Sequence, residues 1–550
     1  VELAKNDYLE LIKAFPYNIE LKIALAEFYF FIEQHSKAEQ LLLDVVKLDP
    51  YHPNAWFMLG RAAFLQGDLN KAVDDYFVKA LVTAKKLKNP LKEGEALNAF
   101  GVVYGQQGNT ELAFDYYLQA LTVRQNMGDS AGVATTMTNL ASLYLAEAQY
   151  KQAEDYLEKS LDIYTQLGDQ QGLSNSYNEL GVLAEEQALY QKALKHYQDA
   201  LTIRINLSNQ MLQAESMNNI GFMYYMLLNH EHALVYWQQA EQLFQRIQFP
   251  IGIIHVQQNL AQIELSKGNW RNAFHLFNNT LKDASALNSV EETIVAKSYL
   301  AKLGFLQGGF KQSFSELESV YQQAEALNDV RAIAEFGLWL ADWSMQLGLK
   351  EHAISYLEKV ELAVANNGNV EYHNKHAFLS RYLNDQLHLN NLQSQALVAP
   401  DFAHQSVYIR ELIYAAREHL RTGKKDISAY LAKLKAADYE LQKYQYIDYL
   451  ELLAIQQFLN KQWQALQATL REAELLQRNM GGYWCSFQFD RLHAQLALAN
   501  EADSSAYTAK VDKKVADLLN NLPKNAEHTF LSTLSYFELN DGFGELSAND

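Results

Sequence analysis

A large apolar residue followed at once by a small one recurs every 40 residues. The pairs are Phe100–Gly101, Leu140–Ala141, Leu180–Gly181, Ile220–Gly221, Leu260–Ala261, Leu300–Ala301 and Leu340–Ala341. Twelve residues beyond the small position stands another small one: Ala113, Ala153, Ala193, Ala233, Ala273, Ser313 and Ala353. Four further on comes a large one: Tyr117, Leu157, Tyr197, Trp237, Phe277, Leu317 and Leu357. This pattern predicts a helix-turn-helix hairpin. Small residues on facing sides let two helices approach closely, and the large residue one turn later fills the gap between them. Turns are predicted after the first helix at Gly108, Ala148, Ala188, Gly268, Gly308 and Gly348. After the second they fall near Gly128, Gly168, Ser208, Asn288, Asn328 and Gly368.

The stretch "GVVYGQQGNTELA", from residue 101, places three glycines ahead of a helix. A phosphate-cradling loop would need a preceding strand and a G-x-x-x-x-G-K-[ST] spacing, and neither is present. The equivalent positions one repeat later are Ala141, Leu145 and Ala148. Gly101 is therefore read as the packing residue, and Gly108 as the turn.

Near the start of the chain, "AWFMLGRAAFLQGDLNKAVDDYFVKAL" (55–81) carries the same signature, and a weaker copy ends at Pro50. This combination of a Leu-Gly pair, an aromatic and two alanines resembles the tetratricopeptide repeat family. The first two copies are 34 residues apart (Ala26 to Gly60), while the later 40-residue copies are similar to the long-helix variety. That variety occurs in kinesin light chains, spindle-orientation adaptors rich in Leu-Gly-Asn, and bacterial peptide-pheromone receptors. The resemblance implies an all-α fold, a right-handed α-solenoid superhelix of tandem hairpins with degenerate C-terminal repeats. The expected organisation is two 34-residue-type hairpins in 1–86 and seven 40-residue hairpins in 87–368. Degenerate hairpins and a capping helix follow in 369–540, then a polar tail in 541–550. "NNGNVEYHNKH" and "LVAPDFAHQ" read as joints. Helical patterns resume at 406–421, 427–441, 444–459, 462–479, 483–499 and 506–520.

Composition narrows the function. Seven prolines and 25 glycines in 550 residues favour helix, and 49% hydrophobic residues suffice for a continuous core. A net charge of −19, with no basic cluster longer than "AKKLK", argues against nucleic acid as a partner. The single cysteine, Cys485, rules out an internal disulfide and a cysteine-based zinc site. The lone cysteine fits a reducing cytoplasm, the expected location, although periplasmic proteins also can lack cysteine pairs; no run is long enough for membrane insertion and no signal peptide is visible. Valine at position 1 points to a processed or partial chain. His230 and His232 fall in a predicted turn, and His373 and His376 in a predicted joint. Both pairs read as solvated residues rather than metal ligands. No H-E-x-x-H, G-x-S-x-G or kinase motif occurs. The expectation is a non-enzyme without metal or cofactor.

In the resembling family the inner face of the array is lined by first-helix residues not used for packing. Here these include the amides Asn98, Asn139, Asn175, Asn178, Asn218, Asn219, Gln258, Asn259 and Gln262. Glu95, Glu179, Glu185, Glu186 and Glu215 lie among them. Phe57, Arg61 and Phe64 lie towards one end; Phe222, Tyr225 and Met226, and then Phe305, Trp339 and Met345, lie further along. Amides both donate and accept, so a ladder of them suits the backbone of an extended peptide. The candidate partner-binding set is Asn98, Asn139, Asn178, Glu179, Glu185, Glu186, Glu215, Asn218, Asn219, Phe222, Tyr225, Asn259 and Gln262. With Arg61 and Lys302 as the face's cations, a co-chaperone carboxylate clamp is not expected. The expected partner is a protein or peptide, basic with apolar anchors. The plainer reading is that the asparagines serve packing and the acids serve solubility. The expected function is a peptide-binding scaffold or regulatory module of a larger bacterial signalling protein. One alternative is a small-peptide receptor whose superhelix tightens on its ligand; another is an enzyme with a site in 369–550.

Overall fold

The computed structural model describes residues 2–32, 34–365, 369–383, 402–437, 443–523, 526 and 529–530. Among them every regular element is helical. The chain forms two compact units, 1–183 and 184–550.

The first unit holds α1 (Glu2–Ala14), α2 (Ile19–Phe31), α3 (His35–Leu48), α4 (Pro53–Leu65) and the short α5 (Leu69–Lys71). A π-helical stretch, Ala72–Phe77, leads into α6 (Val78–Lys86). Then come α7 (Pro90–Gln106), α8 (Thr110–Met127), α9 (Ser130–Ala146), α10 (Tyr150–Leu167) and most of α11 (Gln170–Glu186). The second unit continues with α12 (Tyr190–Asn206), α13 (Gln210–Met226), α14 (His230–Arg246), α15 (Pro250–Ser266) and α16 (Trp270–Ala286). Its array ends with α17 (Val290–Leu306), α18 (Phe310–Ala326), α19 (Val330–Gln346) and α20 (Lys350–Ala365).

The hairpin logic is visible atom by atom. A β-carbon added to Gly60 would stand 2.4 Å from the Phe77 ring, one on Gly101 2.5 Å from Tyr117, and one on Gly221 2.6 Å from Trp237. The small residues Ala113, Ala153, Ala193, Ala233, Ala273 and Ala353 are fully buried. So the glycines of "GVVYGQQGNTELA" are packing and turn residues, as read: Gly101 faces Tyr117, and Gly108 has φ +73°.

Turns follow an even stricter rhythm than the core. Positive φ recurs at every twentieth residue from Lys88 to Gly348, through Ala148, Ala188, Ser208, Leu228 and Gln248 as well as the glycines. Gly368 lies outside the described residues. The next residue is usually Asn or Asp, and it closes two helices at once. The Asn109 N–H donates to the Tyr104 carbonyl at 2.9 Å, while its side chain accepts from the Leu112 N–H at 3.3 Å. Asp129 does the same with Arg124 (3.0 Å) and Gly132 (2.9 Å), and Asn229 with Tyr224 (2.8 Å) and His232 (3.3 Å). One residue thus caps the carbonyl end of one helix and the amide end of the next.

Beyond residue 368 the sequence reading needs correction. "NNGNVEYHNKH" is not a joint over its length, because Val370–Leu383 is a helix, α21. It is followed by α22 (Phe402–Arg421), α23 (Ser428–Lys435), α24 (Lys443–Leu459), α25 (Trp463–Met480), a 3₁₀ turn at Trp484–Ser486, α26 (Phe487–Ala499) and α27 (Ser505–Asn520). The "LVAP" part of the second joint, most of the capping segment 520–539 and the tail 541–550 lie outside the described residues.

These helices also return to the array instead of only extending it. Tyr483 meets Trp270 at 6.0 Å between ring centres, and Trp484 meets Phe310 at 5.8 Å. The Lys311 N–H donates to the Asn521 carbonyl at 2.7 Å. A β-carbon on Gly268 would lie 2.9 Å from Met480, and one on Gly308 2.6 Å from Leu518. The C-terminal helices therefore cover the turn edge of the α15–α18 hairpins.

Candidate functional site

The second unit contains a cavity of about 550 Å³. Its lining comes from the C-terminal end of α11, from α13, α15, α17 and α19, and from α21 and Tyr444 at the start of α24. First helices of successive hairpins thus form one wall, and elements after the array complete it.

Of the candidate residues, Glu185, Glu186, Asn218, Asn219, Phe222, Tyr225, Asn259 and Gln262 line this cavity. Asn98, Asn139, Asn178 and Glu179 belong to the first unit and do not. Glu215, on α13, does not line it either, so of the four acids expected together only Glu185 and Glu186 share the cavity.

The amides form rails within the protein. Asn139 Nδ2 donates to Asn98 Oδ1 at 3.1 Å, and Asn259 Nδ2 to Asn218 Oδ1 at 2.9 Å. The same contact recurs between equivalent positions of consecutive hairpins, so packing accounts for part of the asparagine pattern. Gln258 borders the cavity but is largely buried, and its amide donates to the Glu292 carbonyl at 2.9 Å. Tyr225 is a core residue with one edge on the cavity. It is 6% exposed, packs on Trp237 at 6.0 Å, and shares a hydrogen bond with Ser266 at 3.3 Å. Phe305 is also core, stacked on Trp343 at 4.4 Å. Trp339 does line the cavity.

The charges are more mixed than the sequence suggested. Tyr197 donates to Glu185 at 2.7 Å, yet burial still raises the Glu185 carboxyl above its usual range. Arg331, at the start of α19, opens to the same cavity and opposes that rise. Glu335, Glu371, Lys302 and Lys375 lie in the remainder of the lining. Burial pushes Glu371 up to about 7, with Glu335 adding to the rise and Lys375 opposing it. Burial pulls Lys302 down to about 8, and the Lys375 charge adds to that pull. Lys302 Nζ sits 4.3 Å from the centre of the Trp339 ring and 5.4 Å from that of Tyr299.

Sequence reasoning missed Arg331, Glu371, Tyr372 and Lys375. The last three sit on the helix read as a joint. On that helix Tyr372, Leu379 and Leu383 are buried, which completes a helical i, i+7, i+11 stripe. His376 stands at i+4, where its ring meets the Leu357 carbonyl at 3.4 Å. A polar residue in the stripe hid the period.

Other candidate chemistry is accounted for locally. His230 and His232 open helix α14 instead of lying in a solvated turn; His230 is buried, and His232 Nδ1 contacts Asn229 Oδ1 at 2.8 Å. Asp448, Glu451 and Cys485 cluster in the C-terminal helices. Arg417 fills that cluster with donors to Asp448 at 2.8 Å and Glu451 at 2.6 Å, and Tyr483 donates to Asp448 at 3.0 Å. Burial holds the Cys485 thiol well above its usual range, which leaves it a poor nucleophile.

Three overlapping matches to the tetratricopeptide repeat model cover residues 92–166, 132–206 and 172–246. The segment 92–246 belongs to the tetratricopeptide-repeat family. No curated protein sequence matches the chain. Among solved structures it is similar to a Rap protein complexed with competence and sporulation factor. That match has 16% identity and a TM-score of 0.48, and covers 67% of this chain and 99% of the other. It is also similar to aspartyl phosphate phosphatase F from Bacillus subtilis, with 16% identity and a TM-score of 0.45, covering 63% and 94%. A third is BtubC (BKLC) from P. vanneervenii, with 22% identity and a TM-score of 0.34, covering 40% and 91%. Tetratricopeptide arrays are protein-interaction scaffolds, and among the described residues no helix is long and apolar enough to cross a membrane.

Proposed function

We propose that the chain is a regulatory peptide-binding module, and that the cavity of its second unit holds a short extended peptide or a peptide segment of a partner protein. The carrying observation is the lining itself. Amides from consecutive tetratricopeptide hairpins, the aromatic residues Phe222 and Trp339, and charges of both signs meet in a cavity of about 550 Å³. That volume falls within the range of roughly 300–1,000 Å³ typical of small-ligand sites. Amides left with spare donors and acceptors after forming the rails serve a peptide backbone, and the aromatics serve its apolar anchors. Arg331 beside Glu185 and Glu186 tempers the basic preference expected of the partner, so the fitting segment carries both signs of charge. The receptor reading gains from the return of the C-terminal helices, since Tyr372 and Tyr444 enclose a groove that a bare array would leave open.

Selection from a random heptapeptide display library on the full chain tests this reading. Enriched peptides are expected to lose binding to Phe222→Ala and Trp339→Ala proteins that still melt cooperatively. Absence of enrichment, or binding indifferent to both substitutions, contradicts the proposal.

A further inference from the structure

Several cations of the second unit are paired at close range, both the half-exposed Arg381 and Lys514 and the largely buried Arg417. Arg381 meets Glu411 at 2.8 Å, Arg417 meets Asp448 at 2.8 Å, and Lys514 meets Asp490 at 2.5 Å. Arg410, close to the cavity, is paired with Asp342, which also accepts from Tyr414 at 3.2 Å. The cavity's own lysines depart from this pattern. Among the described residues no carboxylate oxygen lies within 4.0 Å of Lys302 Nζ or Lys375 Nζ.

The two ammonium groups come from different helices, α17 and α21; Lys302 lies in the field of Lys375, and Lys375 lies in the fields of Arg410 and of the Asp342, Glu371 and Glu335 carboxylates. Two like charges in a partly desolvated cavity repel unless an anion joins them. Glu335 and Glu371, the lining acids whose charges act on both lysines, sit beyond ion-pair distance of them. Lys302 is nevertheless held in place, because its ammonium lies against the faces of Trp339 and Tyr299. That contact uses the ring faces and leaves ammonium N–H groups free to donate. A fixed cation, a second cation and spare donors together make an oxyanion receptor.

We infer that the Lys302–Lys375 end of the cavity is an oxyanion site, taking a carboxylate or a phosphate group of the bound ligand. This rests on the peptide-binding reading above and gives that peptide a direction, with its anionic group at the α17–α21 end. It also reverses the sequence-based expectation of a wholly basic partner.

Calorimetry on the full chain at constant ionic strength tests the site without knowledge of the natural ligand. The probes are succinate, inorganic phosphate and the uncharged succinamide. Saturable one-site heat is expected from succinate or phosphate and none from succinamide. Preference for succinate assigns a carboxylate, and preference for phosphate a phosphoryl group. Lys302→Gln and Lys375→Gln should each weaken the binding by roughly tenfold or more, the usual effect of losing a charged hydrogen bond. Lys375→Arg should restore most of it. Should Lys302→Gln fail to fold, Lys375→Gln alone carries the comparison. Absence of heat from both anions, or equal heats in wild type and the variants, overturns the inference. If display selection still yields cavity-binding peptides in that event, the oxyanion site falls while the peptide-binding reading survives.

Discussion

The Trp237 indole occupies the space into which a side chain on Gly221 would grow. A β-carbon there would stand 2.6 Å from the ring, whose Nε1 donates to the Asn218 carbonyl at 3.0 Å. The glycine, the core aromatic and the cavity's amide rail are therefore one mechanical unit. Gly221→Leu should overpack the α13–α14 hairpin and cost on the order of 1–3 kcal/mol or more. Thermal melting checks this; an unchanged melting temperature would refute the hairpin register.

The turn rhythm makes a prediction of opposite sign. Ser208 is exposed and holds φ +56° without a glycine. Left-handed backbone costs an ordinary residue about 1–2 kcal/mol, and glycine's extra chain entropy returns roughly half of that. Ser208→Gly should therefore stabilise the protein by about 0.5–1 kcal/mol. Loss of stability would contradict the turn assignment.

Gly108 and Gly308 occupy equivalent turns with different surroundings. Around Gly108, at φ +73°, nothing lies within 4 Å of an added β-carbon, whereas at Gly308, at φ +92°, Leu518 would be met at 2.6 Å. Gly308→Ala should lower the melting temperature more than Gly108→Ala, the difference reporting displaced C-terminal helices. Equal losses would mean that those helices do not dock on the turn edge.

Because burial pushes Glu371 up to about 7 from an ordinary 4.5, the folded chain keeps a proton that the unfolded chain releases. Folding stability attributable to this group therefore falls as pH rises through that window. Lys375, Lys302 and Arg331 oppose the shift, and Glu335 adds to it. Glu371→Gln should melt higher than wild type by a margin that grows from about pH 5 to about pH 8. A margin independent of pH would show that Glu371 does not titrate in this window.

Much of this was legible in the sequence because repeat packing is local. Gly101 and Tyr117, or Gly221 and Trp237, lie 16 residues apart, and the same spacing recurs until the register is lost. Legibility ended where contacts became distant. Nothing near Gly308 in sequence announces Leu518, and nothing near Trp339 announces Lys375. The inner-face amides were placed correctly on the first helices. Their pairing with each other was not foreseen, because Asn139 and Asn98 meet only once consecutive hairpins stack. Arg331 was missed for a simpler reason. It stands at the second position of α19, before the mid-helix positions from which the face was read.

Site-specific photocrosslinking reports whether ligand enters the cavity of the second unit. Benzoylphenylalanine would replace Phe222, which lines the cavity, or Phe274, which is 49% exposed and lies outside it. With a display-selected peptide, crosslinks should form from position 222 and be suppressed by excess unlabelled peptide, with none from position 274. Crosslinking from 274 with none from 222 would place the binding surface elsewhere and contradict the account.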